Sequence, residues 1–314
     1  MIMKNKLVGV IIALVVILAI FLLLVYIGGN VMGVERLMTG ENPMLRFAFV
    51  IVGLLIALGV YYGTKDSPAW EVGTRQVVWM AIGAALYAVF SWLFNGTVFF
   101  VPSISQVALR PAIAIPVFFG YAFGPIVGFF SGAVGNMFGD ALTGFGLYPQ
   151  WSIANGLIGF IAGLPLLFKD RKKSLDSVLG AGGVLTLIAL VIYFINRTLP
   201  NMMFFDVPNN VFGDAPISIF AGISLLVGFA LVLIVRFAFG KDLDLAASVT
   251  WGMLGNILGI GFAALSDIWI NGYSLPSAIV GEFLPAAGPN LIFIAILVPL
   301  LVVAYRAVQK QSGR

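Results

Sequence analysis

The feature that most constrains this chain is a succession of apolar stretches, most of them about 20 residues long, separated by short connections. A helix of that length spans the hydrocarbon layer of a bilayer, where each backbone polar group must be satisfied within the protein. The sequence therefore predicts an all-α, polytopic integral membrane helical bundle of about ten transmembrane helices. We place them at residues 7–28, 44–63, 76–94, 108–122, 124–141, 151–168, 178–196, 216–235, 247–268 and 287–305.

Composition supports a membrane protein and excludes several other classes. Hydrophobic residues make up 61% of the chain and charged residues only 10%, against about 25% charged in soluble domains. With no cysteine and no histidine, the chain has no disulfide, thiol nucleophile or usual zinc site. It also lacks a Walker A motif, a nucleophile elbow and a zinc-protease signature. We therefore expect no enzyme activity, cofactor, metal ion or nucleic-acid partner.

The placement of basic residues predicts the topology. If the N-terminus is cytoplasmic and every helix crosses once, thirteen of the 17 Lys and Arg lie in inside segments. Only Arg36, Arg46, Arg110 and Arg197 lie outside. This bias follows the positive-inside rule and places both termini in the cytoplasm. The first apolar run, from Leu7 to about Ile27, is longer than a signal-peptide core, so we expect it to remain as a helix.

Polar residues collect at the predicted outer ends of the helices. Such groups are costly at membrane depth and usually line a cavity or pair with each other, although interfacial anchoring is the alternative for each one alone. The members are Arg110, Asn136, Asp140, Gln150, Trp151, Asn155, Asp267, Trp269, Asn271, Tyr273, Glu282 and Asn290. The uncharged loop 95–107 either folds over this region as a lid or lies in the headgroup layer. Loop 197–215 has the same two interpretations.

Small residues at four-residue spacing predict close helix packing. Gly124, Gly128 and Gly132 form one such series, and their face packs either within the protein or against a partner subunit. Gly124-Pro125 also separates two short helices, or breaks one helix. The stretch Gly135–Gly139 recurs in form at Gly255–Gly259, which would be a weak internal repeat.

Residues 74 to about 168 resemble the substrate-binding S component of energy-coupling factor (ECF) vitamin transporters. The resemblance is carried by the segment from Ala108 to Asp140, with Leu-Arg-Pro, Phe-Gly-Pro, Gly-x-x-x-Gly and Gly-Asp in that order. Tyr148–Gly163 is similar to the family's fourth helix, and Leu284-Pro-Ala-Ala-Gly-Pro-Asn-Leu is similar to the start of its last helix. The family usually has six helices. Here residues 1–70 add two N-terminal helices, and the S-component-like domain, 74–310, carries inserted or extra helices in 178–268.

The resemblance implies a subunit that captures a vitamin-like small molecule from outside the plasma membrane of a prokaryote. A coupling transmembrane subunit and ATPase subunits would then drive uptake. The implied docking face is an alanine pattern on the third predicted helix, namely Ala81, Ala84, Ala85 and Ala88. We expect the solute to be bound by Arg110, Asp140, Gln150, Trp151, Asn155 and Asn290, with Asn95 and Phe99 in the lid.

Two other functions stay open at this point. The first is a stand-alone secondary transporter with Asp140 or Glu282 as its proton site. The second is a membrane scaffold or assembly protein that transports nothing.

Overall fold

The structure is a computed structural model, and it describes residues 6–312 except 96–99, 102, 105–106, 145, 169–170, 200–203, 207–210 and 214–215. Over this part of the chain it has ten α-helices and two short antiparallel β-hairpins. The helices are α1 (Lys6–Phe21), α2 (Pro43–Thr64), α3 (Thr74–Asn95), α4 (Ala114–Phe123), α5 (Pro125–Thr143), α6 (Pro149–Ala162), α7 (Arg171–Ile195), α8 (Ile219–Ala238), α9 (Leu243–Ile270) and α10 (Leu284–Gln311). The hairpin strands are β1 (Phe100–Val101) with β2 (Val107–Ala108), and β3 (Phe204–Asp206) with β4 (Val211–Gly213).

Several helices extend beyond these bounds in other helical geometry. α1 continues as a π-helix over Leu22–Val31, and a π-helical segment, Ser277–Phe283, leads into α10. Short 3-10 turns precede α4 at Pro111–Ile113 and follow α6 at Leu164–Leu167. With these extensions, eight of the ten helices lie within a few residues of their predicted positions. α7 begins at Arg171 rather than at 178, and the segment that ends with α10 runs from Ser277 to Gln311 rather than over 287–305.

Seven helices in the described part of the chain are long and apolar enough to cross a membrane, by length and composition. They are α1, α2, α3, α7, α8, α9 and α10, with the π-helical extensions counted in. The predicted polytopic helical bundle is thereby confirmed. α4, α5 and α6 are outside this set, and whether each of them crosses the bilayer stays a prediction.

Glycines allow α4, α5 and α6 to pack backbone against backbone at the centre of the bundle. Gly124 has φ 116°, which L side chains rarely adopt, and the chain reverses there so that α4 and α5 form a hairpin. A Cβ on Gly128 would lie 2.3 Å from the Gly159 carbonyl oxygen, and one on Gly132 would lie 2.1 Å from that of Asn155. The glycine series therefore packs within the protein.

The two copies of the proposed repeat contact their neighbours differently. Gly135 and Gly139, on α5, lie against α3, where a Cβ would meet Tyr87 and Ser91. Gly255 and Gly259, on α9, lie against the backbone of α6. The side-chain amide of Asn256 donates to the Ala287 carbonyl oxygen (2.8 Å), which ties α9 to α10. These contacts show why both stretches need small residues, and a duplication stays a prediction.

The two N-terminal helices are joined to this centre. α1 packs on α5, and α2 packs on α6, where Gly53 leaves room for Ile153. The α1–α2 connection also reaches the α5–α6 loop, because the Leu147 N–H donates to the Met38 carbonyl oxygen (2.9 Å). This connection and the first turn of α2 therefore lie beside the start of α6.

Candidate functional site

Helix ends from across the bundle meet around one cavity of about 310 Å³. The N-terminal ends of α2, α6 and α10 and the C-terminal ends of α5 and α9 contribute, with β2 and the residues just before α4. For α5 with α6, and for α9 with α10, consecutive helices therefore run in opposite directions. Its lining residues are Gly40, Glu41, Arg46, Val107, Ala108, Arg110, Asp140, Tyr148, Trp151, Asn155, Ile260, Asp267, Asn271, Tyr273, Glu282, Ala286 and Asn290.

Five of the predicted site residues line this cavity, namely Arg110, Asp140, Trp151, Asn155 and Asn290. Gln150 is fully buried behind the wall, where it contacts Asp267. Asn95 is the last residue of α3. The side chain of Asn95 and the whole of Phe99 lie outside the described residues.

The end of loop 95–107, proposed above as a lid, lies at the cavity wall. Val107 and Ala108 of β2 line it, and β2 pairs with β1. The Ile104 N–H donates to the Gly281 carbonyl oxygen (3.0 Å), and the Ile104 side chain packs on the same glycine. The hairpin is thus attached to the segment that leads into α10.

Arg110 and Asp140 form an ion pair in the cavity wall. Pro111 begins a short 3-10 turn, and Arg110 lies directly before it. From there its Nη2 donates to Asp140 Oδ1 (2.9 Å), near the C-terminal end of α5. The Asn136 amide, in the orientation that satisfies its neighbours, accepts from Arg110 and donates to Asp140 Oδ2 (3.3 Å). These bonds hold the two charged groups together.

Asp267 fixes the first turn of α6 from the opposite side. This carboxylate is 1% exposed and accepts from the Gln150 amide (3.1 Å) and the Trp151 indole N–H (2.9 Å). One turn further along α6, Asn155 Oδ1 accepts from the buried Tyr87 hydroxyl (2.7 Å). The indole and the amide are therefore held in place before any solute binds, which lowers the entropy cost of binding.

The carboxyl groups of Asp267 and Glu282 both line the cavity, and each residue is 1% exposed. Tyr273 is near them in the α9–α10 connection, and burial, with the Glu282 charge second, raises the pKa of Tyr273 to about 12. Its hydroxyl is therefore neutral at physiological pH and able to donate a hydrogen bond. Among the described residues, no group of three or more acidic side chains could hold a metal ion.

Arg46 is one of the lining residues that the sequence analysis missed, with Glu41 and Tyr148 beside it in the lining. It lies in the first turn of α2, 3% exposed, and its guanidinium is 5.2 Å from the Tyr148 ring centroid. Its Nε donates to the Glu41 carbonyl oxygen (2.8 Å) and its Nη2 to Asn271 Oδ1 (3.1 Å). Like Arg110, it is an arginine close to a proline that begins a helical segment at this end of the bundle. That shared position was the available signal.

The central part of the chain is similar to a known protein family. Residues 71–212 match the family model described as ECF-type riboflavin transporter, S component. The resemblance to S components is thereby confirmed for this part, which contains α3 to α7. The chain is a multi-pass membrane protein. No solved structure matches it.

Curated relatives of this S-component-like chain carry the name UPF0397 protein. One from Aliivibrio fischeri is 36% identical over 105 residues, which is 33% of this chain and 55% of the relative. One from Vibrio atlanticus is 37% identical over 100 residues, 32% of this chain and 53% of the relative. One from Aliivibrio salmonicida is 37% identical over 102 residues, which is 32% of this chain and 54% of the relative. The chain spans about half the length of the curated relatives it matches.

The cavity draws on residues inside and outside the matched S-component segment. Arg110, Asp140, Trp151 and Asn155 lie inside it. Arg46 precedes it, and a second group follows it, namely Asp267, Tyr273, Glu282 and Asn290. Residues on both sides of the S-component match therefore also line the cavity.

Proposed function

We propose that this protein is the substrate-binding membrane subunit of an ECF-type transporter, which captures a vitamin-like small molecule in the cavity described above. The supporting observation is the convergence of fixed polar side chains on one cavity. Its volume, about 310 Å³, is at the lower end of the range of about 300–1,000 Å³ usual for ligand sites. The matched family's description names riboflavin, so riboflavin is the first solute to test.

In this proposal, aromatic rings supply most of the contact area, and a few polar groups select the solute. Trp151 and Tyr148 present the rings. Arg110, Asp140, Asn155 and Asn290 present polar atoms, and Gln150 acts indirectly by holding Asp267. Asn95 and Phe99 are proposed to belong to the lid.

The binding test compares two tryptophans. Trp151→Phe keeps an aromatic ring but removes the N–H that donates to Asp267 (2.9 Å), so the ring loses its fixed orientation. We expect the Kd measured by isothermal titration to rise roughly tenfold, the effect of losing about 1.4 kcal/mol. The probe is riboflavin or, if mass spectrometry finds another small molecule on the purified protein, that molecule. Trp92→Phe, at an exposed position on α3, is the matched control and should bind as wild type.

Two outcomes would contradict the binding proposal. If Trp151→Phe and Trp92→Phe weaken solute binding by the same factor, the solute does not depend on the cavity for binding. A purified protein that carries no small molecule and shows no thermal shift with any vitamin would instead favour the scaffold function.

We further propose that a coupling transmembrane subunit and ATPase subunits supply the energy, in the plasma membrane of a prokaryote. Of the four alanines proposed as a docking face, Ala81 and Ala85 are exposed on α3. Ala84 and Ala88 are buried, and α3 packs on α5 through this side, so the docking proposal is restricted to the first pair.

The docking test separates binding from uptake. Ala81→Trp together with Ala85→Trp should leave the solute Kd unchanged and abolish uptake in cells that express the partner subunits. Ala48→Trp, at an exposed position on α2, is the control for adding bulk on the lipid side and should transport normally. Normal uptake by the double variant would contradict this docking face.

The two buried carboxyl groups that line the cavity, Asp267 and Glu282, favour a second candidate, a stand-alone carrier driven by protons. Of the two proton sites predicted for it, Asp140 is already bonded to Arg110 (2.9 Å), which leaves Glu282 as its proton site. Uptake of riboflavin, or of the co-purifying molecule, by proteoliposomes that contain this protein alone and a proton gradient would support the carrier. Uptake only when the partner subunits and ATP are present would support the ECF-type function.

A further inference from the structure

Arg46 has a donor that no group in the described part of the chain satisfies. Its Nε and Nη2 are bonded to the Glu41 carbonyl oxygen and to Asn271 Oδ1, but its Nη1 is buried without a partner. The side chain lines the cavity and is 3% exposed, so bulk water does not replace the missing acceptor. Such a donor on a charged group is costly to leave unpaired.

The position of Arg46 is set by contacts on both sides of α2. Asn42, directly before the helix, has φ 55° and donates from its side chain to the Ile270 carbonyl oxygen (2.7 Å) at the end of α9. The Tyr148 ring lies against the guanidinium at 5.2 Å. The guanidinium is thereby held in place. Its Nε and Nη2 are bonded to the protein, and its Nη1 has no acceptor in the described part of the chain.

Two of the carboxyl groups that line the cavity are bonded to other side chains. Asp140 is paired with Arg110 (2.9 Å), and Asp267 accepts from Gln150 (3.1 Å) and Trp151 (2.9 Å). The Glu41 side chain is exposed, so water screens its charge. The hydrogen-bond acceptors of Arg46 in the described part of the chain, the Glu41 carbonyl oxygen and Asn271 Oδ1, are neutral, so the guanidinium charge is available to an incoming anion.

We propose that Arg46 binds an oxyanion of the solute, a carboxylate or a phosphate, through Nη1. This inference rests on the proposed function and narrows its substrate class to acidic small molecules. It also gives the N-terminal helices a role, since α2 precedes the segment that matches the S-component family. A guanidinium is suited to this task because it is planar, permanently charged and less strongly hydrated than an ammonium group.

The experiment compares matched acidic and neutral solutes. The probes are nicotinate with nicotinamide, pantothenate with pantothenol, and flavin mononucleotide with riboflavin. For wild-type protein in detergent, we expect the acidic member of at least one pair to bind at least tenfold more tightly than its neutral partner. The carboxylate pairs and the phosphate pair distinguish the two kinds of oxyanion.

Three variants keep the test specific. Arg46→Gln should remove the preference for the acidic member, and Arg46→Lys should retain part of it because the charge remains. Arg36→Gln, which removes an exposed charge in the same α1–α2 connection, should leave the preference intact. The thermal unfolding midpoint without solute identifies any variant that has failed to fold. The preference of the wild-type protein for acidic solutes is measured independently, so it does not depend on whether the variants fold.

Each result has a definite meaning. Wild-type protein that binds acidic and neutral members equally, or Arg46→Gln protein that keeps the preference, would overturn the role of Arg46 and leave the proposed function standing. Protein that binds none of the probes and carries no small molecule through purification would overturn both.

Discussion

At the residue scale, the Arg110–Asp140 pair is the charged interaction whose loss is most easily measured. Asp140→Asn leaves a largely buried guanidinium without its counter-ion, which destabilises a protein by up to about 3–5 kcal/mol. We expect the double variant Arg110→Gln, Asp140→Asn to recover much of that loss, because neither partner is then an unpaired charge. Chemical unfolding in detergent measures the wild type, Asp140→Asn, Arg110→Gln and the double variant, with Arg36→Gln as a surface control. Losses that simply add would show that the two side chains do not stabilise each other.

The sequence predicted part of this site at the residue level. Arg110, Asp140, Trp151 and Asn155 could be found because polar groups are rare at membrane depth and the S-component resemblance covers them. Arg46 shares with Arg110 a position close to a proline that begins a helical segment, but its burial depends on how α2 is placed, which the sequence does not show. Four outer-end basic residues were equivalent by charge bias, and only tertiary contacts show that this one is buried beside Tyr148.

At the element scale, the contact between α5 and α6 depends on the absence of a side chain at Gly132. A Cβ there would lie 2.1 Å from the Asn155 carbonyl oxygen, so Gly132→Ala forces the helices apart. We expect the free energy of unfolding to fall by about 1–3 kcal/mol. We also expect weaker solute binding, because α6 carries Trp151 and Asn155. At Gly59, on α2, a Cβ would meet nothing within 4 Å. Gly59→Ala should therefore be neutral or stabilising by up to about 1 kcal/mol in the same unfolding assay. Equal stability of the two variants would contradict this packing.

The elements themselves were predictable where hydrophobic length alone decides them. The seven long apolar helices and the break at Gly124-Pro125 follow directly from the sequence. The π-helical segments at Leu22–Val31 and Ser277–Phe283 were not predicted, because apolar length does not distinguish a π-helix from an α-helix. The sequence also did not show which of the four alanines on α3 are buried and which are exposed. Ala84 and Ala88 are buried because α3 lies on α5, and the spacing of the alanines is the same on either face.

At the scale of the whole molecule, the two ends of the bundle differ in charge chemistry. The cavity end holds Arg46 and Arg110 among carboxyl groups and amides. At the opposite end, Arg236 pairs with Asp176 (2.9 Å) and Arg306 pairs with Asp242 (2.6 Å). The structure therefore groups in space the helix ends that the charge bias assigns to each side, and the compartment that each end faces stays a prediction.

Cysteine labelling tests that assignment, since the chain has no cysteine of its own. Ser274→Cys lies in the exposed connection between α9 and α10 at the cavity end, and Lys65→Cys and Lys241→Cys lie at the opposite end. Because basic connections stay in the cytoplasm, we expect a membrane-impermeant maleimide to label Ser274→Cys in intact cells. The two lysine positions should react only after permeabilisation, and the cysteine-free parent should not react at all. Labelling of Lys65→Cys in intact cells would invert the bundle and leave the cavity facing the cytoplasm, where it could not capture a solute from outside.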